Sequence, residues 1–240
     1  MKIHKEFARL FGFELLHIRK DQPSLASHLG QLLRLLKVSC LIDVGANAGQ
    51  YGLMLRKAGY RGRIASFEPV TATFAELARL AATDPDWRTF KYALGSKPEE
   101  KEIRVTRSSV FASFLAPSEY SKEKYPEAMP IVDTERVQIR TLDEMLPEIT
   151  QGIAAPRLFL KMDTQGYDLE VFAGAGKSLP QVLGLQTEIS IQAIYEGMPD
   201  YLQSLTRYTQ AGFVLTGLYP VSRDRETLGL IELDCVMRRL

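Results

Sequence analysis

Three groups of residues in this 240-residue chain have types and spacings suited to chemistry. The first is Asp43-Val44-Gly45-Ala46-Asn47-Ala48-Gly49, where a short apolar run meets the start of a helical pattern. Ligands of open α/β sheets bind outside the carboxyl ends of the strands, and the first strand-to-helix turn is a favoured place. Glycines there let the backbone come close to a ligand. The spacing is Gly-x-x-x-Gly. It is not the Gly-x-Gly-x-x-Gly of dinucleotide sites, because Asn47 stands where the second glycine would be. The Gly-Lys-Ser/Thr of a phosphate-cradling loop is absent as well. An acid ahead of the turn, Asp43, repels phosphate and suits a ligand carrying an ammonium or hydroxyl groups.

The second group is Glu68, which ends the next apolar run. An acid in that place accepts hydrogen bonds from ribose hydroxyls. A glycine turn without phosphate features, joined to a second-strand acid, points to S-adenosylmethionine. The third group is Lys161-Met162-Asp163-Thr164-Gln165-Gly166, with Glu188 at the end of the following strand. Asp163 and Glu188 are the candidate catalytic pair. Two carboxylates at one sheet edge can hold a divalent cation, bind substrate hydroxyls or supply a general base. The plainer alternative for Asp163 is an N-cap for the next helix. All three histidines, His4, His17 and His28, lie in the N-terminal region, so the carboxylates are the default bases. An unperturbed carboxylate is a weak base for a sugar hydroxyl. It acts either by taking the proton late or by holding a metal that acidifies the hydroxyl.

The elements that position these groups follow from the periodicity. Residues 1–37 read as two helices broken at Pro23, with Ser24 as the N-cap of the second. Residues 38–44 read as a strand buried on both faces. A helix from Tyr51 to Gly59, a strand over 63–67, a helix over 71–82 and one strand from Trp87 to Leu94 follow. That alternation opens a doubly wound α/β sheet. Residues 102–106 and 136–140 read as strands. The stretch between them, Ser108 to Pro130, carries too many aromatic residues for a solvated linker, and connections of that length tend to be functional. It reads as a cover over a site. A helix from Thr141, a strand over 157–162, a helix over 167–173, a strand over 182–189 and a helix over 199–211 resume the alternation. Strands over 213–218 and 230–237 close the chain as a hairpin, which implies one antiparallel strand.

Composition narrows the function classes. Lys plus Arg is 30 and Asp plus Glu is 29, a net charge of +1. A broad nucleic-acid surface needs a basic excess, so nucleic-acid partners are not expected. Two cysteines, Cys40 and Cys235, both in apolar runs, read as reduced buried thiols. There is no membrane span and no secretory signal, and a cytoplasmic protein is expected. The first 40 residues hold more basic than acidic side chains. Their amphipathic pattern suits packing on the chain's own domain, a homodimer face or peripheral contact with a membrane surface.

In this order the chain carries Asp43-Val44-Gly45-Ala46-Asn47-x-Gly49, Phe67-Glu68-Pro69, Ala93-Leu94-Gly95, Arg140-Thr141-Leu142-Asp143 and Lys161-x-Asp163-x-Gln165-Gly166-Tyr167. This series resembles the FkbM family of S-adenosylmethionine-dependent methyltransferases over roughly residues 38–238. Ala112-Ser113-Phe114-Leu115 is similar to that family's Ser-Ser-Leu patch with one serine replaced, and Asp168 stands where a glutamate is usual. The resemblance implies an α/β fold: a doubly wound, mostly parallel seven-stranded sheet of the class I methyltransferase, Rossmann-like type. An antiparallel C-terminal hairpin and N-terminal helices complete it. The expected division is a helical extension over 1–37 and a methyltransferase domain over 38–240, with an inserted cover over 96–140. The resemblance also implies O-methylation of a hydroxyl on a sugar, glycolipid or glycosylated natural product, by in-line displacement at the sulfonium methyl. By motif matching, Asp43, Gly45, Asn47 and Gly49 hold the methionine end of the cofactor. Glu68 takes the ribose, Ala93 and Leu94 lie beside the adenine, Asp163 and Gln165 face the reacting centre, and Ala46, Tyr51 and Pro69 are further cofactor-binding candidates.

Rival readings are a small-molecule O-methyltransferase using a divalent metal on Asp163 and Glu188, a dinucleotide-dependent oxidoreductase, and RNA methylation. Asn47 and the terminal hairpin count against the oxidoreductase. The even charge counts against RNA, whose phosphates need clustered Lys and Arg.

Overall fold

The computed structural model describes residues 23–240. The helix expected before Pro23 lies outside the described residues. Helix α1 (Leu25–Leu35) starts at Ser24, whose side chain accepts from the Ser27 amide. It buries Leu29, Leu32 and Leu33 in one cluster with Leu41, Ile64 and Phe159 of the central strands. Each such leucine contributes about 2 kcal/mol of burial. Helix α1 thus packs on the body of the domain.

The first half runs β1 (Cys40–Val44), α2 (Gln50–Lys57), β2 (Arg63–Phe67), α3 (Thr71–Ala81) and β3 (Trp87–Phe90). Next come β4 (Ala93–Leu94), β5 (Glu99–Thr106), α4 (Glu119–Lys124), β6 (Ile131–Arg140) and α5 (Leu142–Thr150). The second half runs β7 (Leu158–Met162), α6 (Asp168–Ala173), β8 (Val182–Ser190), α7 (Tyr201–Gln210), β9 (Phe213–Arg223) and β10 (Leu230–Arg239). Seven strands form one sheet in the order β3-β2-β1-β7-β8-β10-β9. Only β10 runs against its neighbours, pairing antiparallel with both β8 and β9. The expected doubly wound sheet with a terminal hairpin is therefore what the chain forms.

The single strand expected from Trp87 to Leu94 is a correction. The strand β3 stops at Phe90, and Ala93–Leu94 joins a second sheet, β4-β6-β5. The reason lies in its neighbour. The Glu68 amide makes the last bond to the Phe90 carbonyl, and the next amide on that side, Val70, goes to Glu68 Oε1 instead. The chain then turns and pairs with Ile139 and Arg140 instead.

Alternate residues of the central strands face different layers. Ile42, Ala65, Leu160 and Leu185 share a core with Leu142 and Met145 of α5, Val171 and Phe172 of α6 and Tyr208 of α7. Leu41, Ile64 and Phe159 face the α1–α3 layer. The order of connections reverses between β1 and β7, which opens a crevice above their carboxyl ends.

Candidate active site

A cleft of roughly 600 Å³ occupies that crevice. Its floor grows from one row of the sheet. Strand register aligns Ser66, Asp43, Lys161 and Gln186 on β2, β1, β7 and β8. Partners in register project to one face, so four polar side chains stand side by side at the carboxyl edge. The Trp87 indole N–H donates to Ser66 Oγ (3.0 Å), and the Ser66 hydroxyl donates to Asp43 Oδ2 (3.1 Å). The Lys161 ammonium lies 3.0 Å from Asp43 Oδ1 and 3.5 Å from Asp163 Oδ2, and it donates to the Gly45 carbonyl at 3.1 Å. Burial pulls this ammonium towards neutrality, but the Asp43 and Asp163 carboxylates outweigh it, so the pKa is raised and the charge kept. The Tyr51 ring lies 5.1 Å from the ammonium, and its hydroxyl donates to Gln186 Oε1 at 2.7 Å. Gln186 Nε2 in turn donates to Asp234 Oδ1 (2.8 Å).

The glycine turn sits directly on this row. Gly45, Asn47 and Gly49 all have positive φ, at 74°, 47° and 91°. A Cβ on Gly45 would overlap the Asp163 carbonyl oxygen, so no other residue fits. The Gly45 and Ala46 amides both reach the Phe67 carbonyl, at 3.1 and 3.0 Å. Glu68 ties the turn to β2. Its Oε2 accepts from the Asn47 amide (2.9 Å), and its Oε1 accepts from the Val70 amide (2.9 Å) and the Thr73 hydroxyl (3.1 Å). Burial pushes the Glu68 carboxyl up, and these donors hold it back without cancelling the rise. Phe67, Tyr92, Ala93, Leu94 and Phe114 give this end of the cleft apolar walls.

The opposite end is built from side chains of distant segments. Gln165, at φ 54°, donates through Nε2 to Asp163 Oδ1 (2.9 Å) and to Glu188 Oε2 (3.2 Å). Glu188 is pushed well above the usual carboxylate range by burial and then by Asp163, Glu232, Asp234 and Asp168. Glu232 is raised to about 7, chiefly by burial, against a hydrogen bond from Ser222. Burial also raises Asp234. The Asp163 side chain is 41% exposed, open to whatever enters the cleft.

Gly45, Ala46, Asn47, Tyr51, Glu68, Pro69, Ala93, Leu94, Asp163, Gln165 and Glu188 line the cleft together. Asp43 and Gly49 do not. Asp43 lies fully buried behind Lys161, its charge already answered. Gly49 turns towards Leu77 and Leu80 of α3 and begins α2. Asp43, expected to line the methionine end of the cofactor, lies instead beneath the cleft and is screened from it by Lys161. Asp163 is no helix cap: α6 is capped at Tyr167, and the Thr164 amide and hydroxyl go to the Asp168 carboxylate.

Sequence reasoning left Lys161, Gln186, Glu232 and Asp234 without roles. The signal was present for the last two: Glu232 and Asp234 alternate with Ile231, Leu233 and Cys235, which puts both acids on one strand face. Ser113, in the departed Ser-Ser-Leu patch, donates to the Gln165 carbonyl at 2.7 Å and accepts from the Leu115 amide at 3.0 Å. Ser109 of the cover accepts from Asn47 Nδ2 at 3.2 Å. His28 does not line the cleft; on α1 its Nδ1 lies 2.9 Å from the Tyr219 hydroxyl. Among the described residues no group of three His, Cys, Asp or Glu is arranged to hold a metal ion. No described helix is long and apolar enough to cross a membrane.

The sheet order, the glycine turn and the strand-two acid define the S-adenosylmethionine-dependent methyltransferase class. The model of the methyltransferase FkbM domain matches residues 43–215, and the chain belongs to that family. No curated protein matches the chain. Among solved structures it is similar to the O-methyltransferase TomG from Streptomyces achromogenes, involved in tomaymycin synthesis and solved with its methyl donor. The identity is 13%, the TM-score 0.48, and the match covers 100% of this chain and 89% of that one. It is also similar to magnesium protoporphyrin IX methyltransferase from Synechocystis, at 9% identity, TM-score 0.47 and coverage of 100% and 96%. An rRNA methylase from Streptococcus thermophilus matches at 10% identity and TM-score 0.47, covering 94% and 99%.

Proposed function

We propose that the chain transfers the methyl group of S-adenosylmethionine to a hydroxyl of a sugar, glycolipid or glycosylated natural product. One observation carries this reading: a single cleft joins the Gly45 turn and Glu68 at one end to the Asp163–Gln165–Glu188 cluster at the other. The cleft suits the cofactor in size and chemistry. Glu68 retains lone pairs for ribose hydroxyls, and Tyr92, Ala93 and Leu94 form a slot for an adenine ring. The carboxylates favour a sulfonium cation, and among the described residues Lys161 is the one cation of the lining, beside the turn that meets the methionine end. When bound, the cofactor supplies an already activated methyl group.

The chain's own residues then have three tasks. Glu188, with its raised proton affinity, takes the hydroxyl proton as charge develops on the acceptor oxygen. Asp163 aligns that hydroxyl, and Gln165 holds the two carboxylates in a fixed relation. The cover residues Phe111 and Phe114 wall the cleft and exclude water. Carboxylates that accept from hydroxyls, on a lining short of cations, favour a neutral polyol over a phosphorylated acceptor.

The test has two arms. Calorimetric titration with S-adenosylmethionine should give binding that NADH does not. Transfer of a labelled methyl group should then be scored over a panel of hydroxylated glycans and glycolipids, with amines and RNA in parallel. Label on amines or RNA alone would overturn the acceptor class. Loss of turnover in EDTA, restored by magnesium, would favour the metal-dependent reading.

A further inference from the structure

We propose that Tyr195, outside every motif of the sequence, is a positioning residue that sets Gln165 across the Asp163–Glu188 pair and couples that setting to the seating of the cover. The inference rests on the reading of this pair as acceptor-facing.

The geometry is specific. Tyr195 follows β8, and its hydroxyl lies 2.9 Å from Gln165 Oε1 and 3.0 Å from the Phe111 carbonyl. Both neighbours are acceptors, so the single phenolic proton is shared between the active-site loop and the cover. With Oε1 facing the tyrosine, the Gln165 amide must turn Nε2 to the two carboxylates. The reverse orientation would set an oxygen against Asp163 and Glu188 and leave it repelled. A half-buried amide with one end unmade loses part of the free energy that holds it in place. The Tyr195 ring is buried with Ile194 and Ile231, and the cover residues Phe111 and Leu115 pack against that cluster. The Tyr195 backbone also bridges Pro117 of the cover. Lifting the cover therefore removes a partner of Tyr195, and loosening Tyr195 releases Gln165. Burial raises the phenol far above its ordinary range, so it remains a proton donor at every working pH.

Glu188 reports the setting of Gln165. The charged groups facing it are Asp163, Asp168, Glu232 and Asp234, all acidic, with the Tyr125 and Tyr195 phenols beside them, so the Gln165 amide, donating to its carboxylate, steadies the charged form. The experiment follows the Glu188 side-chain carbon by NMR against pH in four proteins: wild type, Tyr195→Phe, Gln165→Ala and the double variant. No acceptor is needed, so a failure here is distinct from a failure of the proposed acceptor class. Phenylalanine keeps the buried ring and removes only the hydroxyl. Tyr195→Phe should raise the Glu188 midpoint by roughly 0.5 or more, most of the change produced by Gln165→Ala. The double variant should match Gln165→Ala alone, because the tyrosine acts through the glutamine. S-adenosylhomocysteine affinity, read by calorimetry, should stay within about twofold in Tyr195→Phe. A Glu188 midpoint unchanged in Tyr195→Phe, or additive shifts in the double variant, would overturn the proposal.

Discussion

The two ends of the cleft are made in different ways. At the cofactor end the chain's own backbone does most of the holding. The Asn47 and Val70 amides grip Glu68, and the Gly45 and Ala46 amides grip Phe67, all within 30 residues of sequence. At the acceptor end no two neighbours suffice. Gln165 meets Glu188, Tyr195 and Ser113, which come from β8, the loop after it and the cover. The first end is fixed by local geometry and survives changes of side chain elsewhere. The second depends on side chains converging from four segments, and it is the end that can differ between enzymes sharing one cofactor.

That contrast can be broken in graded steps. Gly45→Ala should have the largest effect, because the added carbon meets backbone at positive φ. A loss on the order of 4 kcal/mol is expected, read by chemical denaturation. Lys161→Met leaves Asp43 buried without its cation and should cost about 3 kcal/mol. The paired variant Lys161→Met with Asp43→Asn should recover part of it, and no recovery would mean the ion pair is not the reason. Asp163→Asn should lower turnover about 100-fold while cofactor affinity changes little. Equal losses in both would move Asp163 to the cofactor end. Glu68→Gln should weaken cofactor binding about tenfold and leave the Glu188 titration untouched.

The smallest effect concerns pH. Glu232 is raised from 4.5 to about 7 in the folded chain. Between those values the folded state holds more protons than the unfolded one, so stability falls as pH rises through this window and levels off above it. Glu232→Gln removes that loss. Its melting temperature should exceed wild type by ~2–4 °C at pH 8 and match it near pH 4. A gain at low pH instead would reverse the assignment.

Much of the Gly45–Glu68 end of the cleft was legible because its signals are contiguous. A glycine spacing and an acid after an apolar run can be read along the chain, and Glu68, Asn47 and Gly45 meet in the cleft. Asp43 was legible as a motif residue but not in its position, since its neutralising partner, Lys161, stands in register on a strand 118 residues further along the chain. Tyr195 carried no signal at all. A lone tyrosine after a strand reads as core, and its ring is core; only its hydroxyl is functional. The split of the Trp87–Leu94 stretch has its cause just past the neighbouring strand, where the Val70 amide turns back to the Glu68 carboxylate and no longer pairs onward.

The sequence by itself determined the alternation of strands and helices, the turn that only glycine can make, and the family. These depend on periodicity, backbone conformation and short spacings, which are properties of neighbours in the chain. Tertiary structure alone decided that Lys161 answers Asp43, that Glu232 and Asp234 of the terminal hairpin share a cleft with Glu188, and that the cover reaches Gln165 through Tyr195. Those are contacts between segments up to 118 residues apart, set by strand register and packing, and a burial-shifted carboxyl exists only once such neighbours have closed around it.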